Sequence, residues 1–513
     1  MANRTALPLF CATLCMLSTT LATAADFYVS PGSSITNAMA AANPGDTVHV
    51  NAGTYNENVQ INKSGTSGAY ITLVANGAVT INAGGAGKAL RIAASYIVVN
   101  GFECTNFLEG LNMRTAHIKV YNCNFHAGPS NTSTVSGSNG LTVNFDSAID
   151  DIDIENSNFY YNDAGGADFG CNSTTDVLTN ITLVNCKFYA NNCLGGTDGI
   201  GIGHQGTKSN ITLLHCQAYD NLSDGFDLDA PVYMDGCIAH DNDRNGGPNW
   251  GVGLKAWGHT GNPPIYGQVH LYNCLSYNNT EETAGGGGIN VGGANSIVSN
   301  CLVSGNNSYA GIILCSGSSV TIKNTIFYKE HYSISADSDT SGLTFDASNV
   351  IFGCSSNGAL SSAAAAQAKS FDPQFVGATD FHLQSTSPCI DAGVTVSGVT
   401  TDFDSNPRPS GNGFDIGPYE FQSAVVRAPV ISCASRMSLS WLTALSFVWP
   451  SWPSCTWFEL CPAHCELQTP LLCETRGAVV MKRLGSSVAI PPTHGLSKCL
   501  VVFTSDWIFA VSV

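Results

Sequence analysis

The chain has 513 residues, with 20 Lys+Arg against 38 Asp+Glu, a formal charge of −18, only 11% charged residues and 53 Gly. So few charges and so much apolar content exclude a disordered chain and require a large core. The imbalance lies in the middle, where residues 25–424 hold 13 basic and 34 acidic side chains. Such a surface repels phosphate backbones and excludes nucleic acid as the partner, while favouring cations or a substrate reached through them.

Residues 1–24 read as a secretory signal: Arg4 near the start, an apolar stretch from Leu7 to Leu21, then Ala22-Thr23-Ala24 of the A-x-A kind. A mature chain starting at Ala25 or Asp26, extracellular and soluble, is expected. No segment before the tail approaches the 18 or so uninterrupted apolar residues of a membrane span, so no membrane partner is expected. Residues 33–42 (SSITNAMAAA) form a short amphipathic helix with a Ser/Thr start, placed to cap one end of a core.

Next comes a repeat. Cys123, Cys186, Cys216, Cys237, Cys274 and Cys301 occupy one place in the phrases YNCNFHA, VNCKFYA, LHCQAYD, DGCIAHD, YNCLSYN and SNCLVSG. From Cys186 to Cys301 the spacings are 30, 21, 37 and 27 residues, and Ser157 and Thr325 extend the series. These are repeat positions filled by small buried residues rather than a disulfide pattern, although export would permit disulfides. Between them runs a Gly followed by an alternating strand, as in DGIGIG (198), DGFDLD (224), GVGLKA (251) and GINVGG (288). Period-two strands such as Ile181-Thr182-Leu183-Val184, separated by Asn, Asp and Gly turns, with variable spacing and no sustained helical period, predict a parallel β-solenoid. Its coils stack like on like: Cys on Cys, Ile on Ile, Asn on Asn.

Residues 370–422, with DPQF, SPCIDAG and DIGPYEF, read as a closing segment, so the solenoid domain spans 25–424. From about Val425 the character changes. Residues 425–513 hold five of the seven Trp and six of the 20 Cys but no Asn, and no repeat continues into them. They are expected to form an atypical tail without an evolved fold.

A solenoid brings together residues about one coil apart in sequence. Asp198, Asp224 and Asp227 fall on consecutive coils, with Asp229 on the same face of its strand as Asp227. Carboxylates gathered in this way repel one another unless a cation joins them, and calcium, which takes six to eight oxygens, suits such a set. For any one Asp, a plain turn role is the simpler account; three at matched positions favour the site. One coil later, Lys255 lies inside an apolar strand two residues from Trp257. Flanked by apolar groups or facing bound cations, a Lys can give up its proton and serve as a base; otherwise it is a solvent-facing strand residue.

The run DGIGIG, CQAYDNLSDGFDLD and GVGLKAWG resembles the core of polysaccharide lyase family 9, over about residues 185–305. Both ends are similar only to the wider superfamily of secreted right-handed parallel β-helix proteins. The resemblance implies an all-β fold, a right-handed single-stranded parallel β-helix with a short N-terminal capping helix. It also implies a secreted, calcium-dependent pectate lyase that cleaves polygalacturonate or pectin by β-elimination. Carried over by motif, Asp198, Asp224 and Asp227 are calcium ligands and Lys255 is the base. One departure stands out: the family usually has two adjacent Asp before the Gly, and here the first is Ser223, leaving Asp229 or Asp220 to compensate. The sequon at Asn221 raises the prospect of a glycan crowding the cleft. Arg244 is a weaker candidate for holding a substrate carboxylate, and Trp257 or Tyr233 for stacking on a sugar ring. A monomer is expected. Two alternatives remain open: a polygalacturonase-type hydrolase, suggested faintly by Gly203-His204-Gln205-Gly206, and a non-catalytic surface or glycan-binding solenoid.

Overall fold

The computed structural model describes residues 23–422 except 128–136, 193–197, 244–250, 261–264, 281–285, 307–308 and 338–339. Beyond 422 it describes only the strands Val480–Arg483, Cys499–Phe503 and Trp507–Ser512. The chain divides into two units, Met1–Val425 and Val426–Val513. In the second, the three strands pair antiparallel; the remainder of the tail, and residues 1–22 of the signal, lie outside the described residues.

The first unit is built from two parallel sheets, of 22 and 12 strands. A typical coil contributes three strands, Ile200–Ile202, Thr207–Leu214 and Gln217–Tyr219. Each pairs in register with its counterpart on the next coil: Phe226–Leu228, Val232–Asp235 and Ile238–His240. Like residues therefore stack, as in Ile118, Ile152, Ile181, Ile211 and Val232. Alternate side chains of Val177–Val184 turn inward, which explains the period-two pattern. The architecture is the expected right-handed parallel β-helix.

The repeated phrases are corners. Asn156, Asn185, Asn273, Asn300 and Asn324, with His215 at the same place, have φ between 48° and 55°, the left-handed region that Asn tolerates better than most residues. The next residue turns inward: Ser157, Cys186, Cys216, Cys274, Cys301 and Thr325 are buried. Cys186 Sγ donates to the carbonyls of Ile154 at 3.3 Å and Val184 at 3.5 Å. The described cysteines are free, as small stacking residues should be.

A second corner carries an asparagine ladder. Asn162, Asn191, Asn221, Asn242, Asn279 and Asn306 pass Nδ2–H to Oδ1 from coil to coil at 2.9–3.1 Å, ending on Glu330 Oε1 at 3.0 Å. This explains the Gly that opens the strands of the 12-stranded sheet beside the ladder, such as Gly140, Gly166, Gly199, Gly225, Gly253 and Gly288. A Cβ on Gly225 would meet the Gly253 carbonyl oxygen at 2.6 Å and Asn242 Nδ2 at 2.7 Å.

The helix Ile35–Ala41 covers the first coil with Ile35 and Met39. Ser34 caps it, and the Glu57 carboxylate accepts from Ser34 Oγ and the Ile35 and Thr36 amides. At the other end Leu360, Ala364, Ala365 and Ala368 pack on the core. The segment 370–422 does something other than close the end: it runs back along the side. Asn324 Nδ2 donates to the Val394 carbonyl at 2.7 Å, Asn273 Nδ2 to Thr401 at 3.1 Å, and Phe403 meets the ring of His215. The left-handed corner residues thus also hold this strap.

Candidate active site

One outward row of the 12-stranded sheet reads, coil by coil, Asp168, Gly201, Asp227, Lys255, Asn290. The apolar neighbours Phe226 and Leu228, then Leu254 and Ala256, are wholly buried, so the residue between them must face out. Asp198 and Asp224 precede the ladder glycines Gly199 and Gly225, which fix the height at which each carboxylate meets Asp227. The three carboxylates each place an oxygen within 4.8 Å of the others. Asp198 and Asp224 are buried and Asp227 partly so.

Each carboxylate has one oxygen tied. Asp198 Oδ1 accepts from Ser223 Oγ at 2.9 Å, Asp224 Oδ1 from the Val252 amide at 2.7 Å, and Asp227 Oδ2 from Lys255 Nζ at 2.8 Å. Asp224 Oδ2 lies 4.0 Å from Lys255 Nζ, and Asp227 Oδ1 is buried without a hydrogen bond. Burial first, then the charge of Asp227, pushes Asp198 up to about 8. Burial and the charges of Asp198 and Asp227 raise Asp224 well above the usual carboxylate range. Burial and Asp227 push Asp229 up to about 6. Burial pulls the Lys255 ammonium down, but Asp227, Asp224 and Asp229 outweigh it and the net shift is upward. The bare site therefore favours the protonated lysine, and a cation on the carboxylates would remove that bias.

The donor set suits a hard cation: the cluster offers carboxylate oxygens alone, one of them a buried oxygen with no partner. It opens into a cleft of ≈ 240 Å³, where Gly201 leaves room between Asp168 and Asp227, and where Asn172, His204 and Asp229 line the wall. Asp220 instead occupies a left-handed corner, with φ of 59°.

Of the sequence-expected residues, Asp198, Asp224, Asp227 and Lys255 come together. Trp257 joins them differently from the expectation: Lys255 Nζ lies 4.3 Å from its ring centroid, so this ring packs on the lysine. Tyr233 is not in the cleft. It lies on the larger sheet, against a cluster of Tyr272, Val396, Val399 and Phe414 under the strap, and cannot stack on a sugar at this site. Arg244 lies outside the described residues. The sequon at Asn221 is corrected as well: Asn221 is a buried ladder member whose Nδ2 donates to Phe188 O and Asn242 Oδ1, so it carries no glycan in the folded chain. Sequence reading missed Asn290. Its signal was available, since FDL, LKA and INV place Asp227, Lys255 and Asn290 in one slot of the repeat.

No known protein-family profile matches the chain, and no curated relative does. Among solved structures it is similar to the pectate lyase Pel9A (17% identity over 79% of this chain and 98% of that one, TM-score 0.45). It is also similar to a PL6-family polysaccharide lyase from Pseudopedobacter saltans (14%, 67% and 92%, TM-score 0.42) and to XylC in complex with xylose (10%, 78% and 98%, TM-score 0.41). Likeness at this level carries no chemistry. By its own strand register the chain is a parallel β-helix, bearing three clustered carboxylates and a lysine on adjacent coils of one face.

Proposed function

We propose that this chain is a secreted, monomeric polysaccharide lyase that cleaves polygalacturonate or pectin by calcium-dependent β-elimination. One observation carries the reading: Lys255 Nζ stands 2.8 Å from Asp227 at the edge of a buried three-carboxylate cluster. Asp198, Asp224 and Asp227 would hold calcium, which supplies positive charge for a substrate carboxylate and for the negative charge that develops next to it. The same cation lets an acidic protein accept an acidic polymer. Lys255, unprotonated, takes the proton from the carbon beside the uronate carboxylate. The C–H electron pair becomes the new carbon–carbon double bond, and the glycosidic bond at the neighbouring carbon breaks with its electrons on the leaving oxygen, which gains a proton from water. Trp257 and Asp227 set the position of Nζ. A hydrolase mechanism is less well served, because paired hydrolytic carboxylates stand roughly 5–9.5 Å apart around the sugar or a water.

The test is ultraviolet absorbance of unsaturated product from polygalacturonate at alkaline pH, with calcium or chelator. Lys255→Ala should lose roughly 10²–10⁴-fold in turnover while keeping the calcium-induced rise in Tm. Asp224→Asn should lose that rise. Calcium and polymer binding without product would instead indicate a glycan-binding solenoid.

A further inference from the structure

The outward row does not stop at the lysine. Asn290 is its register partner on the next coil, between the wholly buried Ile289 and Val291, and so faces outward as Lys255 does. Asn290 is only 6% exposed, yet its Oδ1 is buried without a partner. Buried side-chain amides are nearly always hydrogen-bonded, and one that is not costs stability. The fold does not demand an amide here, because the next residue in the row is Ile313, also buried. A destabilising polar group kept where an apolar one fits is the mark of a functional position.

Electrostatics indicates what it serves. On one side of Lys255 the row continues into Asp227, with Asp198, Asp224 and Asp229 around it, where a carboxylate not bridged by a cation is repelled. On the other side it runs through Asn290, Ile313 and Ser335, with no charge in the row. Lys255 itself has only 17% of its side chain exposed, so contact at this depth is already required by proton removal.

Resting on the lyase reading, we propose that Asn290 is a substrate-binding residue whose amide N–H donates to the carboxylate of the uronate adjoining the one that loses its proton. Of its two amide atoms Oδ1 is the buried one, whereas Nδ2 has no hydrogen bond and is not buried, so the donor is the atom open to that group. The variant Asn290→Leu tests this. Turnover of polygalacturonate by the wild type is measured first and judges the lyase reading by itself. The variant should then show a KM about tenfold higher, kcat within about twofold, unchanged calcium affinity, and a Tm equal to or above that of the wild type. In the Lys255→Ala background, affinity for oligogalacturonate should fall about tenfold on adding Asn290→Leu, and affinity for the methyl-esterified oligomer should not change. This binding measurement judges Asn290 even if the wild type binds polymer without cleaving it. Unchanged KM and affinity would overturn the proposal. So would a Tm lowered by several degrees with binding intact, which would make the amide structural. An equal loss for the esterified oligomer would overturn the assignment to a carboxylate.

Discussion

Glu330 shows how much a single residue can do here. It ends the asparagine ladder where another Asn would fit, with Oε1 accepting from Asn306 and Oε2 buried without a partner. Burial pushes its carboxyl up to about 8. The folded chain therefore keeps a proton there that the unfolded chain gives up above its ordinary value near 4.5. Stability from this group is greatest below that value and declines as pH rises towards 8. Glu330→Gln keeps the ladder acceptor and removes the titration. Its Tm should match the wild type near pH 4.5 and exceed it at pH 8 and above, as thermal melts across that range will show. Asn306, which donates to the same oxygen, extends the effect one coil inward.

At the scale of the element, the coil is set by two corners and the contact between two ladders. The Asn–Cys corner needs a residue that tolerates positive φ followed by a small inward one. The Asn ladder needs the neighbouring strand to lack a Cβ. Gly225→Ala places a methyl against the Gly253 carbonyl and the Asn242 amide, neither of which can yield without breaking coil-to-coil hydrogen bonds. It should cost about 1–3 kcal/mol, read from urea unfolding, and should disturb the carboxylate cluster proposed to hold calcium, because Asp224 immediately precedes it. Gly201→Ala, whose added methyl would meet only Asp198 Oδ2 at 3.6 Å, serves as the control with little effect on stability.

Over the whole molecule, two caps and a strap hold the β-helix. The strap is pinned by a fully buried ion pair: Arg408 Nη1 meets Glu420 Oε1 at 2.5 Å, and Arg408 Nη2 donates to Asn273 Oδ1 at 3.1 Å and the Gly417 carbonyl at 2.8 Å. Removing one partner of such a pair strands the other charge. Glu420→Ala should therefore destabilise by about 3–5 kcal/mol, and Tm should show it, while calcium affinity measured below the melting range stays unchanged. The strap grips the Asn corners and the site lies on the 12-stranded sheet, so the two effects should separate.

The repeat was legible because a solenoid writes its coil into the sequence: a corner Asn, an inward Cys and a period-two strand recur whenever the chain comes round. That was enough for the fold class, the stacking cysteines and the placing of Lys255 one coil after the acidic cluster, while the capping helix, expected over residues 33–42 and found over Ile35–Ala41, was legible from its Ser start and apolar spacing. The repeat was not enough for contacts that cross coils at other angles. That Asn221 is a ladder residue and not a glycan site, that Tyr233 lies under the strap, that Trp257 packs on Lys255, and that residues 370–422 run along the side all depend on which faces meet in space. Local pattern states whether a side chain points in or out; only the packed coils decide what it then touches. The same holds for charge. Sequence collects the acidic residues, but their burial together, with Lys255 among them, is what shifts their protonation.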